Sequence, residues 1–369
     1  MFNLPIEIWL KIIYFSKLKD VIKLAQVNKF FFYLTKQNNH FFLNYQEGFN
    51  TLNYFKYISF IKHCENLKYF EDFSLGFKYY ISDNNQLFKN KLKTINIRIT
   101  DKYELNFIKA NRDLKNIKLK CSHNLNNYYI FSLFDKLDKL TNIFIDNSLI
   151  SDGILSIFNK YKLKHLAFEN CINLLNFDIL IHNNLKSFKI INHQYNNSNY
   201  LQQFLKKQKN LEELTLSLIN CNYMLADTIS NIGKNLKILD LSYPQGLLDD
   251  FCVYRISNNC HNLVELNLNG SDITDNAIYF LTRNCPKITK LSIAGTFIRD
   301  ISLVFIAMYS PQLKYLYAEF NRITRIGIFN LLLRCQKLKK INILNEEFSM
   351  EYLNKVYKKI SKKNERNLL

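Results

Sequence analysis

Apolar residues recur every 25 residues between Cys260 and Cys335. Three copies of the pattern begin at Leu263, Ile288 and Leu313. We call the number of residues after this first residue the offset. In every copy, offsets 3 and 5 are apolar, and offsets 10, 14, 15 and 18 are apolar or small. The first set predicts a short strand, and the second, spaced by three or four residues, predicts an amphipathic helix after a turn near Gly270 or Gly295.

The same pattern extends well beyond this stretch, with 22 to 27 residues between successive first positions. Eleven repeats begin at Leu92, Leu114, Leu140, Leu163, Leu185, Leu211, Leu236, Leu263, Ile288, Leu313 and Leu338. A further, degenerate repeat begins at Leu67. One strand and one helix cannot bury their apolar faces alone, so neighbouring repeats must stack into a solenoid.

A cysteine three residues before the strand pattern is the second recurring feature. It is found at Cys64, Cys260, Cys285 and Cys335. Together with the L-x-x-L-x-L strand, this pattern resembles the cysteine-containing type of leucine-rich repeat. The resemblance implies an α/β fold: a horseshoe-shaped solenoid with parallel strands on its concave face and helices on its convex face. We expect it to span residues 92–369 and to end in a helical cap.

Residues 1–41 do not follow the repeat. Pro5 suits the first turn of a helix because its fixed φ and missing N–H carry no penalty there. Ile8, Ile12 and Phe15 then form an apolar stripe, and Asp20 can cap a second helix. These residues predict a small helical domain.

This N-terminal segment resembles an F-box, the helical module by which ubiquitin-ligase receptors dock on a Skp-type adaptor. The matching positions are Leu4, Pro5, Glu7, Ile8, Asp20, Val21, Val27, Lys29 and Phe31. Asn28 and Phe31 replace the cysteine and tryptophan that are usual in the family. The resemblance implies that the adaptor contacts Leu4, Pro5, Ile8, Ile12, Leu24, Val27 and Phe31. The alternative interpretation is a helical cap on the open edge of the solenoid. Residues 42–91 are expected to form a helical linker and the degenerate first repeat.

Composition excludes several classes of protein. The start of the chain does not fit a secretory signal, and the longest apolar run is too short for a bilayer, so we expect a cytoplasmic or nuclear protein without membrane contact. The eight cysteines contain no C-x-x-C pair, and the seven histidines are scattered. We therefore expect no metal, no cofactor and no enzymatic activity.

The formal net charge of +19 raises the question of nucleic-acid binding. Strand positions at offsets 2, 4 and 6 should face the concave side, and across the eleven repeats six of them are basic and six acidic. A nucleic-acid-binding protein would concentrate positive charge on its binding face. We therefore do not expect nucleic acid as a partner, although a basic outer surface leaves this as a third hypothesis.

The concave face is the expected binding surface for a substrate protein. Glu213, Asp240 and Glu265 lie in successive repeats at what we expect to be matching positions, which predicts an acidic strip. Tyr315 and Tyr317 add aromatic anchors. The predicted substrate-binding residues are Glu213, Asp240, Glu265, Asn267, Tyr315 and Tyr317. For any single position the alternative is an ordinary solvated strand residue.

The combination of modules predicts the substrate receptor of a cullin-based ubiquitin ligase. The F-box would dock on a Skp-type adaptor, and the repeats would present a substrate protein. We expect a monomer within that larger complex. The alternative is a leucine-rich-repeat interaction scaffold unconnected to ubiquitin.

Overall fold

The computed structural model describes residues 44–45, 69–72, 92–99, 102–121, 127–146, 150–171, 173–192, 198–343 and 346–348. The chain divides into two compact parts, Met1–Leu163 and Lys164–Leu369. The predicted F-box and C-terminal cap helix lie outside the described residues. In the predicted linker, the structure describes two short strands.

The first part contains five strands, paired in chain order and parallel where the pairing is described. They are β1 (Asn44–Tyr45), β2 (Tyr69–Asp72), β3 (Thr94–Ile99), β4 (Asn116–Cys121) and β5 (Asn142–Asp146). The described helices of this part are α1 (Lys102–Lys109), α2 (Asn127–Phe134) and α3 (Gly153–Phe158), which follow β3, β4 and β5.

The second part continues the alternation of strand and helix. Its strands are β6 (His165–Glu169), β7 (Ser187–Ile191), β8 (Glu213–Ser217), β9 (Ile238–Asp240), β10 (Glu265–Asn267), β11 (Lys290–Ser292), β12 (Tyr315–Tyr317), β13 (Lys340–Ile343) and β14 (Glu346–Phe348). Its helices are α4 (Ser198–Lys206), α5 (Tyr223–Ile232), α6 (Asp250–Ser257), α7 (Asp275–Asn284), α8 (Asp300–Tyr309) and α9 (Arg325–Arg334). Strands β6 to β13 are parallel neighbours, and β14 pairs antiparallel with β13. After β6 a short 3₁₀ segment, Phe177–Ile179, replaces the helix.

The predicted repeat positions are confirmed. Every strand from β3 to β13 begins two residues after the predicted first position of its repeat. In the repeat that begins at Leu263, the residues at offsets 3, 5, 10, 14, 15 and 18 are all at most 3 % exposed. Side chains of a strand alternate between faces, and the helix returns over the buried one, so within each part a core runs between the strands and the helices. The described repeats form a leucine-rich-repeat solenoid.

Neighbouring helices are joined through their first turns. Thr274 caps α7, and both its N–H and its Oγ1 donate to the carboxylate of Asp250, at 2.7 and 2.5 Å. Thr324 makes the same two bonds with Asp300. A carboxylate in the first turn also suits the positive end of the helix dipole. These contacts fix the spacing between successive helices.

The recurring cysteine position is a packing position. Cys260, Cys285 and Cys335 are fully buried, and Cys285 Sγ lies 3.4 Å from the carbonyl oxygen of Cys260. Burial raises the pKa of the Cys285 thiol to about 12. Gly233 fills the same position one repeat earlier, where an added methyl group would overlap Cys260 Sγ. From Gly233 to Cys335 this position holds small side chains in every repeat, because the side chain there packs directly against a neighbouring repeat.

None of the helices in the described ranges combines the length and the apolar character that a bilayer crossing requires.

Candidate functional site: an aromatic pocket on the strand face

The strand face is the surface formed by offsets 2, 4 and 6, as the sequence predicts. Leu266 and Leu316 are buried, whereas Glu265, Tyr315 and Tyr317, which flank them, are half-buried. Leucines therefore point into the core and the residues between them point out. This face carries side chains that the repeat does not need for its own packing.

At offset 7 the backbone adopts a left-handed conformation in seven successive repeats of the second part. The residues, with φ between 51° and 68°, are Asn170, Asn192, Leu218, Tyr243, Gly270, Gly295 and Phe320. The N–H of Gly270 donates to the carbonyl of Ala294 at 2.8 Å, and the N–H of Gly295 to that of Glu319 at 2.8 Å. The left-handed residue thus keeps its hydrogen bond to the next repeat while the chain turns away.

Glycine and asparagine tolerate this conformation, but leucine, tyrosine and phenylalanine rarely adopt it. A residue held there costs roughly 1–3 kcal/mol and persists only where its surroundings enforce it. Tyr243 and Phe320 accept this strain while their side chains are 55 % and 76 % exposed. Two strained residues therefore hold aromatic rings at the surface rather than in the core.

These rings border a pocket of about 640 Å³. The lining residues are Tyr243, Asn269, Lys290, Ser292, Ala294, Gly295, Tyr317, Glu319 and Phe320. Tyr243 and Phe320 belong to repeats that are three strand positions apart, which corresponds to about 14 Å. Between them the lining consists mainly of small side chains. The pocket is therefore an open depression between aromatic walls.

Two glycines shape the depression. A methyl group added at Gly270 would lie 2.7 Å from Tyr243 Cδ1, which shows that the tyrosine ring covers this glycine. At Gly295 an added methyl group would meet nothing closer than 4.0 Å, apart from its chain neighbours. The Tyr243 ring therefore packs directly on Gly270, whereas no side chain covers Gly295 and the pocket stays open there.

The charged groups of the pocket are not equivalent. Lys290 Nζ lies 3.0 Å from Glu265 Oε2, and this hydrogen bond raises the pKa of the lysine. Glu319 stands at offset 6, next to Phe320, and its carboxylate makes no hydrogen bond or ion pair with the residues that the structure describes. Among the described residues, the cation of the pocket is therefore compensated and its anion is not.

The predicted acidic strip requires a correction. In the strand register Glu213 and Glu265 are aligned, but Ile238 stands between them. Asp240 lies at offset 4 instead of 2, so its register partners are Thr215 and Asn267. The expected matching positions were wrong because the repeat that begins at Leu236 carries its acidic residue two positions later.

The three carboxylates also have partners within the chain. Glu213 pairs with Lys189 at 3.6 Å, and Glu265 pairs with Lys290. Asp240 accepts hydrogen bonds from Ser242 and from Asn267, the latter at 3.1 Å. The charges of Glu213 and Glu265 are therefore balanced by lysines of neighbouring repeats, whereas Asp240 is held by hydrogen bonds from uncharged side chains.

Of the six predicted substrate-binding residues, Tyr317 is the one that lines the pocket. Tyr315 is half-buried between Lys290 and Lys340 in the register. The predicted adaptor-binding residues from Leu4 to Phe31 lie outside the described residues. Within the described ranges, no cluster of three or more His, Cys, Asp or Glu residues is arranged to hold a metal ion.

Sequence reasoning missed Tyr243 and Phe320. The available signal was their alignment with Gly270 and Gly295 at offset 7, where a large aromatic residue is out of place. Recognising it required the knowledge that this position is left-handed, which the strand pattern alone does not supply.

The helices present a second exposed apolar surface. It consists of Met224, Phe251, Tyr254, Ile301, Met308, Ile326 and Phe329, which are 39 % to 73 % exposed. Part of it is engaged within the chain, since Tyr254 packs edge-on against Phe280 with ring centroids 4.9 Å apart. A binding experiment must therefore distinguish this helix face from the strand face.

Comparisons with known proteins give limited information. No family model and no curated protein matches the sequence. Among solved structures, an internalin (InlF) from Listeria monocytogenes is similar over 77 % of this chain and 83 % of its own, with 15 % identity and a TM-score of 0.45. An internalin C2 from the same species is similar over 57 % and 74 %, with 17 % identity and a TM-score of 0.37. These similarities do not identify a function for this chain.

Proposed function

We propose that the protein is an interaction scaffold that binds a partner protein on its strand face, around the pocket between Tyr243 and Phe320. The observation that carries this proposal is the pair of strained, exposed aromatic residues at the edge of that pocket. Backbone strain of this kind is concentrated at functional sites. Exposed aromatic rings are also the side chains that most often anchor a protein partner.

Several features favour a protein over a small molecule. The pocket is open and continues into rows of half-buried polar side chains on β9 to β12. Solenoids characteristically use such extended faces for macromolecular partners. The lining offers anchors and hydrogen-bonding groups, which suits recognition.

Site-specific photo-crosslinking tests the proposal. A photoreactive phenylalanine analogue is placed at position 317 or, as a control on the helix face, at position 329. We expect the strand-face probe to capture one defined protein and the helix-face probe not to capture it. Capture from position 329 alone would show that the partner binds to the helix face.

The captured protein is then purified and its dissociation constant measured with the intact chain and with variants. Tyr243→Ala and Phe320→Ala should each weaken binding about 30-fold, which corresponds to the roughly 2 kcal/mol of an aromatic anchor. The matched helix-face variant Phe329→Ala should leave the constant unchanged. Equal losses in all three variants would contradict a strand-face site.

A role as a ubiquitin-ligase receptor is a narrower hypothesis. It is supported by the Leu-Pro, Asp and Val-x-Lys-x-aromatic landmarks between Leu4 and Phe31, and it concerns the first forty residues alone. Changing Leu4 and Pro5 together to alanine should abolish co-purification with a Skp-type adaptor while the repeats melt as before. Failure of the unaltered chain to bind such an adaptor would remove this hypothesis and leave the scaffold proposal intact.

A further inference from the structure

The pocket has the chemistry of a site for a cation. Its lining contains two charged residues, Lys290 and Glu319, and the lysine is already paired with Glu265 at 3.0 Å. The carboxylate of Glu319 has no such partner among the described residues. A positively charged group entering the pocket would find its counter-ion there, whereas a negatively charged group would be repelled.

The aromatic walls add a second attraction for the same kind of group. The face of an aromatic ring is electrostatically negative and attracts ammonium and guanidinium ions. This neighbourhood already provides an example, because Lys340 Nζ lies 5.8 Å from the centre of the Tyr317 ring. Lys340 does not line the pocket, which is bordered by Tyr317, Glu319 and Phe320.

The shape of the pocket favours arginine over lysine. Ala294 and Gly295 leave a floor without bulky side chains, on which a flat group can lie. A guanidinium is planar, stacks on aromatic rings and offers parallel N–H donors to one carboxylate. An ammonium is compact and strongly hydrated, and it would use the ring faces less fully.

We infer that the pocket receives an arginine side chain of the partner protein, with the guanidinium against Tyr317 and Phe320 and hydrogen-bonded to Glu319. This inference rests on the proposed function and specifies its anchor. The chain's net charge of +19 repels a strongly basic partner at long range. The arginine therefore belongs to an otherwise neutral or acidic segment, and the recognition is local.

The test uses the intact chain and a small probe, N-acetyl-L-arginine N-methylamide, whose ends carry no charge. Binding is followed by ligand-observed NMR, and we expect a dissociation constant of about 1–10 mM for a single side chain. The citrulline analogue has the same shape without the charge and should bind at least tenfold more weakly. The glutamate analogue should not bind.

Variants of the pocket locate the contact. Glu319→Gln and Phe320→Ala should each weaken the arginine probe about tenfold or more. Asp272→Asn, which changes an exposed residue at an isolated β-bridge outside the lining, is the matched control and should leave the affinity unchanged. Circular-dichroism melts of the variants check that the repeats remain folded.

Three results would overturn the inference: equal binding of arginine and citrulline probes, unchanged affinity in Glu319→Gln, or no saturable binding up to about 20 mM. The crosslinking experiment separates this failure from that of the proposed function. If position 317 still captures a partner whose affinity depends on Tyr243, the scaffold proposal stands and the arginine anchor is wrong. If both fail, the strand face is not the binding surface.

Discussion

Gly270 and Gly295 form a natural matched pair for testing the architecture of the pocket. Both are left-handed, with φ of 68° and 63°. Alanine in this conformation costs roughly 1–2 kcal/mol at either position. The two sites differ in their neighbours, because only at Gly270 does the added methyl group meet the Tyr243 ring, at 2.7 Å.

We therefore expect Gly295→Ala to destabilise the repeats by about 1–2 kcal/mol. Gly270→Ala should destabilise them by about 1–2 kcal/mol more, because the new methyl group displaces the Tyr243 ring. For a unit of the size of Lys164–Leu369, each kcal/mol of lost stability lowers the melting temperature by about 2–4 °C. Gly270→Ala should thus melt about 2–8 °C below Gly295→Ala. Thermal melts and urea titrations followed by circular dichroism measure both values.

A double-mutant cycle isolates the ring. In a Tyr243→Ala background the extra cost of Gly270→Ala should disappear, while the cost of Gly295→Ala should stay the same. Gly270→Ala should also weaken partner binding because it displaces one wall of the pocket. Equal costs for the two glycine variants in the parent chain would refute the placement of Tyr243 over Gly270 and, with it, the shape of the pocket.

Three further outcomes follow from the described contacts. Gly233→Ala should destabilise the chain by about 1–3 kcal/mol in urea titrations, because the new methyl group overlaps Cys260 Sγ, and Cys260→Ala should recover part of the loss. Cys285 should not react with a thiol reagent at pH 8 until the chain is unfolded, because burial raises its pKa to about 12; rapid native labelling would contradict its packing role. Two lysine ammonium groups hydrogen-bond to Glu212 and lower its pKa from 4.5 to about 2, so it contributes stability above pH 4.5 that is lost as the pH falls toward 2. Glu212→Gln should therefore reduce the loss of stability over that acid range, and an NMR titration of the carboxyl carbon should show a midpoint well below 4.5.

The sequence alone determined the repeat architecture. The positions of the strands, the buried leucines and the column that contains Cys260 and Cys285 all follow from the period, because each repeat meets almost the same surroundings: the repeat before it and the repeat after it. A pattern that recurs at a constant offset is then sufficient evidence for burial. The outward position of Tyr317 on its strand was also predicted in this way, since it follows from the offset within the repeat.

The tertiary structure decided the features that depend on the lateral register. Glu213, Asp240 and Glu265 looked like one strip in the sequence, but pairing of β8, β9 and β10 places Ile238 between the glutamates. The two glutamates pair with Lys189 and Lys290, each of which lies about one repeat away along the chain. A one-dimensional pattern does not show which side chains become neighbours at the surface.

The pocket depends on the tertiary structure for the same reason. Tyr243 and Phe320 are separated by two intervening repeats, and they become the walls of one site because the residues between them, Gly270 and Gly295, have no side chains. The left-handed backbone at Tyr243 is held by a hydrogen bond from its N–H to the carbonyl of Asn269 in the next repeat, at 2.6 Å. The period determines where that turn occurs, but the stacking of four particular repeats determines that the two rings face a common space.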